Sequence, residues 1–136
     1  MKPRLAALCL VIAVMAACGG DGSSTPPGSG AARPESTGSL QIVAPANGAT
    51  VTDPVTVRVK LEGAMLVPTS TTDVVPDEGH LHVTVDGELV SMTSGLEQEL
   101  PPLDPGPHVL QVEFVASDHA PFDPRVLASS AFEVKR

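Results

Sequence analysis

Val55-Thr56-Val57-Arg58-Val59-Lys60-Leu61-Glu62 alternates apolar and polar side chains without a break. Successive side chains of a β-strand point to opposite faces of the sheet. Val55, Val57, Val59 and Leu61 therefore share one buried face, while Thr56, Arg58, Lys60 and Glu62 meet water.

The same period recurs on both sides of this strand. Leu40-Gln41-Ile42-Val43 is a short alternating run, closed by the turn-forming Pro45-Ala46-Asn47-Gly48. Residues 63–78 read as a long loop containing Pro and Thr. Leu81, Val83 and Val85 take the core side of the next strand. Asp86-Gly87 suits a two-residue hairpin, whose central positions both need positive φ, and residues 88–92 return from it. Residues 96–100 form a weakly marked strand, after which Pro101, Pro102, Pro105 and Pro107 forbid a helix. Leu110, Val112 and Phe114 point inward along residues 108–115. Beyond a loop at 117–124, residues 126–135 close the fold on Phe132 and Val134. Sustained helical periodicity is absent, and 14 prolines are spread over loops and tether. The pattern predicts an all-β, immunoglobulin-like antiparallel β-sandwich of about seven strands. The word immunoglobulin-like denotes architecture alone, since the chain has no tryptophan for a Cys–Trp–Cys core.

The N-terminus has a different character. Lys2 and Arg4 give a positive start, and residues 5–17 run without a charge up to Ala16-Ala17-Cys18. A charged beginning, a short apolar centre and small residues before a cut describe a secretory signal. Thirteen residues fall short of the roughly 20 that a membrane-crossing helix needs. Met15-Ala16-Ala17-Cys18 resembles the bacterial lipobox, with Met where Leu is commonest. The resemblance implies that Cys18 is lipidated and becomes the first residue of the mature chain, which converts a soluble domain into an anchored one. Stable anchoring takes two or more acyl chains, each buried methylene contributing roughly 0.8 kcal/mol. Cys9 leaves with the signal, so the mature chain can form no internal disulfide and offers no thiolate metal site.

Of the 20 residues at 19–38, 15 are Gly, Pro, Ser or Thr and none is a large apolar side chain. Such a segment cannot offset its ordering entropy by burial and reads as a tether with a reach of roughly 25 Å. The expected organisation is a signal peptide at 1–17, lipidated Cys18 and linker through 38, and the sandwich at 39–136. Gly19 behind the cysteine, with no Asp there to mark inner-membrane retention, favours the outer membrane where two membranes exist. The expected location is the extracytoplasmic side of a bacterial cell envelope.

From residue 39 onward the chain carries 14 acidic and 5 basic residues. A surface of that sign repels phosphate backbones and excludes nucleic acid as a natural partner. Carbohydrate platforms are disfavoured too, because the only aromatic residues are Phe114, Phe122 and Phe132. Catalysis is not expected: no Gly-x-Ser-x-Gly elbow, phosphate-cradling loop or His-Glu-x-x-His motif is present.

The remaining chemistry lies with the histidines. His80 and His82 are two apart on a strand and so share a face, opposite Leu81 and Val83. In an immunoglobulin-like order their strand is third and the strand from His108 is sixth, and the two pair antiparallel. The loop after the sixth then returns to the start of the third, bringing His119 toward His80 and His82. Asp118, Asp123, Asp77 and Glu78 would lie nearby, Asp118 being the candidate additional ligand. His108 falls at the far end of its strand, roughly 20 Å away at about 3.3 Å per residue, and is the weaker candidate. Three imidazoles at one loop end suit copper or zinc. Only Met65 and Met92 remain in the domain, neither beside a histidine in the sequence, which counts against copper. The competing reading makes His80 and His82 exposed strand residues and His119 a loop cap.

Gly79-His80-Leu81-His82 leading into Val83-Thr84-Val85-Asp86, then Pro105-Gly106-Pro107-His108-Val109-Leu110 and Asp118-His119-Ala120-Pro121, looks like a bacterial family of unknown function. Its exported domains carry a G-H-H-H-L-L-I-D-like strand, a P-G-x-H-x-L strand and a late His-x-P loop. Ala44-Pro45-Ala46-Asn47-Gly48-Ala49-Thr50-Val51 is similar to that family's first turn. Leu81 stands where the family has its middle histidine, which reduces a three-histidine strand to two. The resemblance implies fold and export but no reaction, and it draws attention to His108. Two functions follow as expectations: a metal-binding lipoprotein, or a structural or protein-interaction module that meets an envelope partner through the loops at 63–78 and 116–124.

Overall fold

The computed structural model describes residues 32–136. The expected signal peptide, the lipobox-like run with Cys18 and most of the expected tether lie outside the described residues. Nine strands follow in order: β1 (Ser39–Ala44), β2 (Thr50–Thr52), β3 (Thr56–Glu62), β4 (Met65–Leu66), β5 (Glu78–Val85), β6 (Glu88–Thr93), β7 (Glu97–Glu99), β8 (Gly106–Ala116) and β9 (Pro121–Lys135). They form two sheets. One has the order β1-β3-β7, the other β2-β9-β8-β5-β4 with β6 also paired to β5.

The two strands beyond the expected seven are short, and their pairings are parallel: β2 with β9 and β4 with β5. Pro45 brings no N–H to continue the β1 ladder. The chain turns there, with Ala49 N donating to Ala46 O at 2.9 Å, and crosses to the edge of the other sheet. The expected hairpin is present: Asp86 and Gly87 have φ of 52° and 87° between β5 and β6.

The core fills the space between the sheets as the alternation requires. Val55, Val57 and Val59 face Leu81, Val83 and Val85 and Leu110, Val112 and Phe114, all buried. Leu61 packs partly buried at the margin. Phe114 and Phe122 stack with ring centroids 5.1 Å apart, and Phe132 and Val134 close the core from β9.

The closing strand starts earlier than expected, at Pro121 instead of residue 126, and only a tight turn separates β8 from β9. Phe114 is paired with Val126 but Val115 with Pro121, so the intervening residues bulge from the ladder. Phe122, in that bulge, is buried, and its stacking holds the segment in place. Contacts with the sandwich also begin before residue 39. Arg33, Ser36 and Thr37, within the segment whose composition reads as tether, hydrogen bond to the domain.

Candidate metal centre

β5 and β8 pair antiparallel from Gly79↔Ala116 to Val85↔Leu110, which sets His80 opposite Val115 and His82 opposite Glu113. The start of β5 and the turn after β8 thus lie at one end of the sandwich. Gly79 is required there. A Cβ at that position would overlap the Val115 carbonyl oxygen, so only glycine lets the two strands approach beside His80.

The turn carries His119 back to the pair. His119 N donates to Ala116 O at 2.9 Å and Ala116 N to Ala120 O at 3.0 Å. His119 holds a left-handed φ of 63°, uncommon outside glycine. Its Nδ1 lies 2.9 Å from His80 Nε2 and 3.4 Å from His82 Nε2. One nitrogen of each ring falls within 4.8 Å of the other two. The rings meet at an angle, His80 against His119 edge-on at 4.4 Å between centroids.

His80 is fully buried, which counts against the competing reading of it as an exposed strand residue. His82 is half-buried and His119 exposed, so the cluster opens to solvent on one side. Burial, then the facing rings of His119 and His82, hold the His80 imidazole down at about 4. His82 is lowered by burial and by His119, against a smaller opposing pull from Glu113. Both rings are therefore neutral at pH 7, the form that offers a lone pair to a metal. His80 Nδ1 is buried with no hydrogen-bond partner, so packing and not a carboxylate or carbonyl orients that ring.

Two of the acidic candidates, Asp118 and Asp77, are engaged elsewhere. Asp118 forms a two-pronged pair with Arg33, at 2.5 and 2.9 Å, which holds its carboxyl at about 2. Asp77 accepts from Ser36 Oγ and Thr37 N, and these bonds lower its pKa. Glu113 is clasped by Arg125 at 2.6 Å through both oxygens. Among the described residues, His80, His82 and His119 are the one group of three with converging ligand atoms. His108 is at the other end of β8, bound to Asp86 Oδ2 at 2.7 Å and to Asp104 O at 2.8 Å.

One neighbour was hidden in the sequence. His82 is the direct cross-strand partner of Met92 on β6, so Met92 lies beside a histidine after all. Directly opposed residues of an antiparallel pair share a face, with Cβ atoms about 5 Å apart. An unbulged two-residue hairpin would have set Ser91 there. An irregularity between Val83 and Thr84 in the pairing shifts the register by one and brings in Met92.

No family model matches the chain, and no curated protein matches it. Among solved structures it is similar to the fibronectin(III)-like modules of Clostridium thermocellum CbhA. Identity is 16%, the TM-score 0.50, and the match covers 72% of this chain and 46% of that one. The chain thus spans less than half the length of that structure. The PKD domain of human KIAA0319 also matches, at 18% identity and TM-score 0.44 over 86% of this chain and 92% of that one. The CbhA likeness bears on the fold alone and agrees with the immunoglobulin-like sandwich.

Proposed function

We propose that this protein is a metal-binding β-sandwich anchored at the bacterial cell envelope, its ion, copper or zinc, held by His80, His82 and His119. The observation that supports this reading is the meeting of three imidazole nitrogens at one sheet end. Two nitrogens bound tetrahedrally at about 2.0–2.1 Å from an ion stand roughly 3.3 Å apart. The 2.9 and 3.4 Å separations straddle that value. Without an ion, His119 Nδ1 faces two Nε2 atoms and carries at most one proton to share between them. With an ion, all three lone pairs have one target.

Three protein ligands leave a fourth position for solvent or a further donor. Met92, across from His82, brings a thioether to the same face, and soft sulfur ligands favour Cu(I). That neighbour supports copper over zinc. The anchor is Cys18, and the function that follows is binding or carrying an ion at the membrane surface, without catalysis.

Equilibrium dialysis against copper and against zinc tests the site. The wild type should retain about one equivalent and the His80→Ala/His82→Ala double variant none. Equal retention by the two proteins would overturn the reading. Loss of membrane fractionation in a Cys18→Ser variant tests the anchor.

A further inference from the structure

The residues leading into β1 lie against the loop that precedes the β5 histidines and against the turn that bears His119. On one side, Ser36 Oγ donates to Asp77 Oδ1 at 2.8 Å and Thr37 N to the same oxygen at 2.6 Å. Asp77 stands immediately before β5, at a left-handed φ of 61°, three residues ahead of His80. On the other side, Arg33 grips the turn that bears His119. Its Nη1 and Nη2 donate to Asp118 at 2.5 and 2.9 Å, Nη2 also to Ala120 O at 3.1 Å, and Nε to Pro121 O at 2.9 Å. Asp123 N donates to Pro34 O at 3.0 Å and fastens the same strap one residue on.

Arg33 therefore engages residues on both sides of His119 without touching its ring. His119 needs such support, because a non-glycine residue at positive φ persists only when its surroundings over-determine it. Asp118 completes the arrangement by accepting from Ala120 N at 3.2 Å while its two oxygens receive the guanidinium. A lone exposed ion pair does little for stability. Four donor bonds from one planar group to three residues of a single turn instead fix a shape, and a lysine cannot reproduce that fork.

We propose that Arg33 is a positioning residue of the histidine cluster, locking the 116–121 turn so that His119 Nδ1 meets the Nε2 atoms of His80 and His82. The consequence for affinity rests on the ion-binding reading above. The consequence for the turn does not. The segment that joins the sandwich to its expected anchor is, on this view, part of the site.

The test uses the full-length chain as wild type, Arg33→Gln and Arg33→Lys, with Zn²⁺ and Cu⁺ as probes. Both variants should bind at least about tenfold more weakly, the size of effect typical of groups that orient metal ligands. The lysine, which keeps the charge but not the fork, should not restore binding. The midpoint of thermal unfolding of the metal-free protein should stay nearly constant. Wild-type affinity in Arg33→Gln would overturn the proposal. A second arm needs no metal: amide hydrogen exchange of His119 and Ala120 should accelerate at least about tenfold in Arg33→Gln, while that of Val112 in mid-strand should not change. Unchanged exchange at His119 sinks the proposal even if the ion-binding reading stands. Failure of the wild type to bind either ion strikes that reading alone and leaves the exchange result to decide the role of Arg33.

Discussion

The two ends of the β5–β8 pair each hold histidine, and they treat it in opposite ways. At the hairpin end, His108 meets acceptors on both sides, Asp86 Oδ2 and the Asp104 carbonyl, so both ring nitrogens must donate. Only the imidazolium satisfies both partners. The Asp104 carbonyl first, and Asp86 after it, raise that pKa above the ordinary value. At the turn end, His80 meets other imidazoles and no carboxylate, and burial drives it toward neutrality. One ladder thus offers a structural cation at one pole and a cluster of lone pairs at the other. A histidine's neighbours, not its place on a strand, decide which chemistry it can perform.

The contrast can be broken most severely at Gly79. Gly79→Ala forces a methyl into the Val115 carbonyl and should destabilise the fold by about 3 kcal/mol, the upper end for an overpacked site. Urea unfolding would measure the loss, and metal retention should vanish with it while His108 keeps its partners.

Acidification separates the poles next. His80 is depressed from 6.5 to about 4, so the unfolded chain binds more protons between those values. Its stabilising contribution is complete above 6.5 and is lost as pH falls toward 4. His108 has the opposite sign: its contribution is complete below 6.5 and fades as pH rises through its raised value. Urea midpoints of His80→Ala and His108→Ala across pH 4–8 should therefore diverge from wild type at opposite ends of the range. Parallel profiles would show that the two rings do not differ in this way.

Met92→Leu tests the proposal of copper. If the thioether completes the set, Cu(I) affinity should fall about tenfold, or roughly 1.4 kcal/mol, with Zn(II) affinity unchanged. Competition with a chromophoric chelator would read both. The mildest change is Asp86→Asn. It keeps an oxygen for the Val109 N–H and suits the positive φ, but removes the charge facing His108. Asp86 is half exposed, so screening limits the cost to about 0.5 kcal/mol by urea unfolding. Its clearer sign would be a lowered His108 pKa by NMR titration.

Much of this comparison is readable in the chain. The alternation of Val55 to Leu61, the Asp86-Gly87 turn and the common face of His80 and His82 are properties of near neighbours, and they follow from strand geometry alone. The approach of His119 follows once an immunoglobulin-like order is assumed, because that order pairs β5 with β8. Arg33 is different. It is the only basic residue between Arg4 and Arg58, inside a Gly-, Ser- and Pro-rich run, and composition averages such a residue away. Met92 was masked by a single unpaired residue in the hairpin, and Asp118 by a partner 85 positions distant.

The sequence by itself determined an all-β domain and two histidines on one side of a strand, since side-chain direction depends on only one or two residues in each direction. Tertiary structure alone decided that His80 is sealed from water, that His119 closes on it, and that Arg33 and Met92 stand guard beside them. Those outcomes depend on strand register and on contacts between segments far apart in the chain, where one extra residue moves every partner by one place.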